Sequence, residues 1–196
     1  MNDPLPSRMS ALDAIFSRRS VRSYAAQSLD RSTIVTLLEA AIRAPTAVHE
    51  EPWAFVVVQD RGTLRRISER AKPLFAEEVR QAKLARSGHS FSMFSHPDFN
   101  IFYDAGTLII ICASPMGPFV VADCWLAAEN LMVAACALGL GTCVIGSAVS
   151  ALNLPEEKSE LGIPPDMTAI APIIVGVPSD TAVPSSRNGP HVLAWL

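Results

Sequence analysis

Val121-Ala122-Asp123-Cys124-Trp125-Leu126-Ala127-Ala128-Glu129-Asn130-Leu131-Met132-Val133-Ala134-Ala135-Cys136-Ala137-Leu138 reads as one helix, apolar on nearly every face. Such a helix is expected to be buried all round, at the centre of a core. Gly139-Leu140-Gly141 follows, and glycine is the usual residue just past a helix C-terminus. Asp123, Glu129 and Asn130 interrupt the apolar run. Those side chains would be costly in lipid, so the segment reads as a core helix and no membrane partner is expected.

Working outward, residues 54–59 contain Phe55-Val56-Val57-Val58, a run typical of a buried strand. Residues 107–113 read as a second buried strand, 143–145 as a short one and 169–177 as a third strong one. Pro172 in the last suggests a sheet edge or a bulge. Ser10 is positioned to cap a short helix ending at Phe16 or Ser17. Asp30 caps the next, where Ile34, Leu37, Leu38, Ala41 and Ile42 recur at helical spacing and Pro45 sets the limit. Residues 60–71 and 73–86 read as two helices separated at Pro73, and 155–161 as a short one. Residues 88–100 carry His89, Phe91, Met93, Phe94, His96 and Phe99 without periodicity, as a lid or a packed irregular segment. The order predicts an α+β fold in a single domain spanning residues 1–196. No GxGxxG follows a strand, which disfavours a Rossmann unit.

Hydrophobic residues make up 49% of the 196-residue chain and charged residues 18%, against about 25% in ordinary domains. A monomer would leave apolar surface uncovered, so a subunit interface is expected. The net charge of −3 and the lack of a basic block exclude nucleic acid as a natural partner. Cys112, Cys124, Cys136 and Cys143 lie in apolar surroundings without a CxxC pair, and read as reduced buried thiols. No basic stretch followed by an apolar run opens the chain, and a cytoplasmic location is the expectation.

Chemistry has four candidate locations. Arg18-Arg19-Ser20-Val21-Arg22 gathers three guanidiniums and a hydroxyl within five residues. Planar guanidinium forks match phosphate oxygens, although a solvated turn would have the same composition. Pro45-Thr46-Ala47-Val48-His49-Glu50-Glu51-Pro52 is a stiffened turn whose small residues let another group approach the backbone. The glycines of residues 139–146 also permit close approach, here to a flat ligand near Ile145 and Gly146. Arg187 stands in a proline-containing tail, residues 178–196. Asp98, Asp104 and Asp123 have no obvious acid–base partner, and no metal-spaced cluster, HExxH, GxSxG or P-loop occurs. That pattern fits an enzyme whose cofactor carries the reaction, with no catalytic side chain and no metal.

Together these segments resemble the nitroreductase family of FMN enzymes. Arg18-Arg19-Ser20-Val21-Arg22 is similar to its opening RRSxR. Ala44-Pro45-Thr46 through Pro52-Trp53-Ala54-Phe55 is similar to its A-P-S/T…P-W-x-F segment. Asn130-Leu131 with Gly139-Leu140-Gly141-Thr142, and Gly176-Val177-Pro178 with Arg187, follow in the family's order. The resemblance implies an antiparallel-dominated sheet flanked by helices, in an intertwined homodimer with FMN at the interface. It implies that Arg18, Arg19, Ser20 and Arg22 hold the phosphate and ribityl oxygens, with Arg187 adding charge. Pro45, Thr46, Ala47 and His49 would line the flavin, with Ile145 and Gly146 near its N5. The tail would wrap the partner subunit. The implied activity is reduction of a small organic acceptor, such as a nitroaromatic or quinone, by NADH or NADPH in ping-pong fashion. The alternative is a non-redox flavin storage or sensing protein of the same fold. His49 and Glu51 stand where the family usually has Asn and Gln. Ser185 stands where some members carry a basic residue.

Overall fold

The computed structural model describes residues 9–82, 91–114, 117–180 and 186–196. Helices α1 (Ala11–Ser17) and α2 (Arg31–Ala41) open the chain. Ser10 and Asp13 form a reciprocal capping box on α1, and the Asp30 carboxylate accepts from the Thr33 N–H on α2. Strand β1 (Trp53–Val58) leads into α3 (Arg61–Gln81), whose N-cap is Asp60. After β2 (Thr107–Ala113) come α4 (Val120–Ala137), β3 (Gly141–Val144), α5 (Val149–Leu152), α6 (Pro155–Leu161) and β4 (Thr168–Gly176).

The four strands form an antiparallel sheet in the order β1-β2-β4-β3. The period-two alternation of β2 organises the interior. Ile109, Ile111 and Ala113 face one layer, where α2 and α4 pack through Ile34, Leu37, Ala127, Leu131 and Ala135. Leu108, Ile110 and Cys112 face the other, where α3 and α5 supply Leu64, Ile67, Ala71, Ala151 and Leu152. The α+β sheet flanked by helices is thus as expected.

Four expectations change in detail. β1 is only half-buried; it is an outer strand, with no strand beyond it among the described residues. Residues 61–81 form one helix through Pro73, not two; Pro73 lies on the exposed side, where the lost N–H interrupts the ladder without ending it. Pro172 lies in a central strand. It sits where β3 has ended, and its carbonyl accepts from the Ile145 N–H. The bulge that proline suggested is present nearby, between Ile111 and Cys112 of β2. Finally, α4 is not buried all round in the single chain: Val121, Trp125 and Leu126 are 50%, 40% and 45% exposed. Leu12, Ile15 and Phe16 of α1, which packs against α4, are exposed as well. α4 is long and apolar enough to cross a membrane by length and composition, but its buried side packs on α2 and the sheet. Cys112, Cys124, Cys136 and Cys143 are free thiols; burial pushes Cys112 and Cys124 up to about 11.

Candidate functional site

The arginine segment leaves α1 and immediately joins the sheet. Ser20 bridges Thr142 in parallel, the Val21 N–H donates to the Thr142 carbonyl at 2.9 Å, and Tyr24 pairs with Pro178 beyond β4. Ala25 N–H to Val177 O and Ser179 N–H to Ser23 O fix the far end. Gly141 is glycine for this reason. A Cβ there would lie 2.7–2.9 Å from three atoms of the Val21 side chain. The close approach expected of this glycine run is therefore made at Gly141 by the arginine segment, not by a ligand. Gly139, at φ +74°, ends α4.

Along that segment the guanidiniums have different surroundings. Arg18 Nε lies 3.3 Å from a Glu129 carboxylate oxygen on α4, and Glu129 is half-exposed. Arg19 donates through Nη1 to the carbonyls of Phe16 and Arg18 at 2.6 and 2.8 Å. Its Nε is buried and, among the described residues, has no hydrogen-bond partner. An unsatisfied buried donor on a cation is costly.

Arg22 turns the other way, into a cavity of about 270 Å³ lined by Phe75, Phe94, Tyr103, Cys143, Ile145 and Gly146 among others. Its guanidinium carbon stands 5.9 Å from the centre of the Tyr103 ring, within cation–π range. Tyr103 and Asp104 are consecutive left-handed residues, at φ 50° and 59°. Phe75, Phe94, Phe99 and Tyr103 form a continuous series of ring contacts, with centroid spacings of 4.6, 5.3 and 5.6 Å. Phe94 and Phe99 thus tie residues 91–100 to Phe75 of α3, while Met93 and residues 96–98 stay exposed; the remainder of the 88–100 stretch lies outside the described residues. Burial raises the Tyr103 hydroxyl and the Cys143 thiol above their ordinary values. Arg22 opposes both shifts, and Ser20 also opposes that of Cys143.

The structure thus brings Arg18, Arg19, Ser20 and Arg22 onto the β3 edge and joins Arg22 to Ile145 and Gly146. Pro45, Thr46, Ala47 and His49 lie elsewhere. Their turn is attached to the start of α4, where both Asp123 carboxylate oxygens accept from the Ala47 N–H at 3.3 and 3.4 Å. Asp123 and Glu129, the two attachment points on α4, are about 9 Å apart along the axis and roughly 120° apart around it. Among the described residues, no hydrogen bond or ion pair links the turn to the arginine segment. Arg187 is exposed in the extended tail, and Ser185 lies outside the described residues. Sequence reasoning missed Phe75 and Tyr103 as walls of this cavity, and Asp123 as the residue in contact with the turn. The signal for Asp123 was its charge at the start of a largely apolar helix.

Fold and site together define an α+β protein that presents a basic segment along one sheet edge beside an aromatic cavity. The sequence profile of the Nitroreductase family matches residues 15–177, and the chain belongs to that family. A protein of Archaeoglobus fulgidus, provisionally named NADH dehydrogenase/NAD(P)H nitroreductase, is 30% identical over 174 residues, 86% of each chain. An iodotyrosine deiodinase of Thermotoga neapolitana is 24% identical over 87% of this chain and 90% of its own. Among solved structures, a Bacteroides fragilis nitroreductase with bound FMN superposes with a TM-score of 0.79. It is 25% identical and covers 95% of this chain and 97% of its own.

Proposed function

We propose that the protein binds FMN and is an oxidoreductase that uses NADH or NADPH to reduce a small organic acceptor such as a nitroaromatic or quinone. The observation that carries this reading is the buried, unpartnered Nε of Arg19 within the arginine segment. A dianionic phosphate would satisfy it, with Arg18 and Ser20 adding charge-assisted hydrogen bonds. Arg22 and the backbone at Ile145 and Gly146, which border the aromatic cavity, suit the ribityl and ring portions. The residues therefore fit the cofactor.

Pro45, Thr46, Ala47, His49 and Arg187 complete the pocket in this reading when a second copy of the chain brings them in. The exposed apolar side chains of Leu12, Ile15, Phe16, Trp125 and Leu126 support that homodimer. So do Leu193 and Trp195 of the tail, which wraps the partner. FMN held by these residues would supply the redox chemistry between nicotinamide and acceptor, and use of one space by the two in turn would make the kinetics ping-pong. The protein's own contribution is to anchor the phosphate, orient the ring and exclude water with aromatic walls.

The test is direct. Purified protein incubated with FMN and freed of excess should be yellow, bleach on anaerobic addition of NADH or NADPH, and recover colour with a nitroaromatic or quinone. Protein that stays colourless overturns the reading. Protein that stays yellow with either nicotinamide restricts it to flavin binding without redox turnover.

A further inference from the structure

We infer that Asp123 is a positioning residue for the proposed cofactor site, holding the turn of residues 45–51 in the shape that presents Pro45, Thr46, Ala47 and His49. This inference rests on the functional reading above.

Asp123 is 4% exposed. Among the described residues no cation pairs with it, and the Ala47 N–H is its only hydrogen-bond donor. A carboxylate buried this deeply is costly unless its position is used, and an apolar residue would pack better in a helix of this composition. The first turn of α4, where the side chain sits, is the one part of that helix whose field favours an anion.

The turn it holds needs an external tie. Val48, His49 and Glu51 all adopt left-handed backbone, at φ 50°, 58° and 44°, which is unfavourable for any residue with a Cβ and most of all for a β-branched one. Packing does not hold Val48, whose side chain is 80% exposed. No side chain caps the short 3-10 helix Ala47–His49. Among the described residues, the contact with Asp123 is the hydrogen bond that ties the strained stretch to another element, and strained backbone clusters at ligand-facing segments.

The experiment is an FMN titration by fluorescence quenching on the wild type, Asp123→Asn, Asp123→Ala and Val48→Gly, with a thermal midpoint for each. The amide oxygen of Asn still accepts from Ala47, so D123N should remain within about threefold of the wild-type Kd. D123A should raise Kd at least tenfold. Rescue by Asn but not by Ala separates positioning from a simple need for charge. Val48→Gly removes backbone strain and leaves the tie to Asp123 in place, so its midpoint should hold or rise and its Kd should stay within about threefold of wild type. If D123A does not fold, D123A in the V48G background decides the matter, and its Kd should again rise at least tenfold. A folded D123A, alone or with V48G, that keeps wild-type affinity overturns the inference. A wild type that binds no FMN overturns the functional reading first.

Discussion

Arg19 carries two kinds of information that differ in legibility. The composition of residues 18–22 announced an anion receptor, because the donors are adjacent in the chain. That one Nε is buried without a partner while Nη1 is occupied by two carbonyls emerged only from the fold. Arg18→Ala should weaken FMN binding by about 1.5–3 kcal/mol in an equilibrium titration, the size of a charge-assisted hydrogen bond to an anion. Gly141→Ala tests the same segment from behind. The added methyl would displace Val21 and the hydrogen bond to Thr142, so FMN affinity should fall although neither residue is proposed to touch the cofactor. The contact between Ala47 and Asp123 was illegible in sequence. The two residues are 76 positions apart, and nothing local marks a backbone N–H as the partner of a distant carboxylate.

At the level of elements, local signals were read well where a short-range rule acts alone. Ser10 and Asp30 start helices, Gly139 ends one, and β2 is buried on both faces as its unbroken apolar run requires. The misreadings arose where tertiary context overrides a local rule. Val56 and Val57 have strand character, but only sheet order makes β1 an outer strand. Pro73 has breaker character, but packing of Ala71 and Val79 carries α3 past it. Pro73→Ala should restore the missing N–H to the carbonyl of Glu69 and raise the thermal midpoint by a few degrees by calorimetry. Further along α3, hydrogen bonds from Arg80 and Gln81 hold the Glu77 carboxyl at about 2, below its ordinary 4.5. A carboxyl held low favours the folded state once ionised. The contribution is complete above about pH 4.5 and is lost as pH falls toward 2. Acid unfolding of Glu77→Gln should therefore be less steep than that of the wild type across that interval. The difference should shrink in high salt because the pair is exposed.

For the molecule as a whole, the apolar excess in the sequence pointed to an interface, and the structure locates the uncovered surface on α1, on α4 and along the tail. A charge placed there should separate the proposed dimer. Trp125→Asp should shift the sedimenting species from dimer toward monomer and lower FMN affinity with it, since the Pro45–His49 turn and the arginine segment attach to different faces of α4. Loss of the dimer without loss of FMN affinity would mean that one chain suffices for the site. In the proposed function, the guanidiniums near the chain's start hold the phosphate of a flavin nucleotide. The most direct measurement compares the dissociation constants of FMN and riboflavin, which differ only by that group. FMN should bind at least about a hundredfold more tightly, equivalent to about 2.7 kcal/mol, and the advantage should nearly vanish when Arg18 and Arg19 are both replaced by Ala. Equal affinity for the two flavins in the wild type would contradict it.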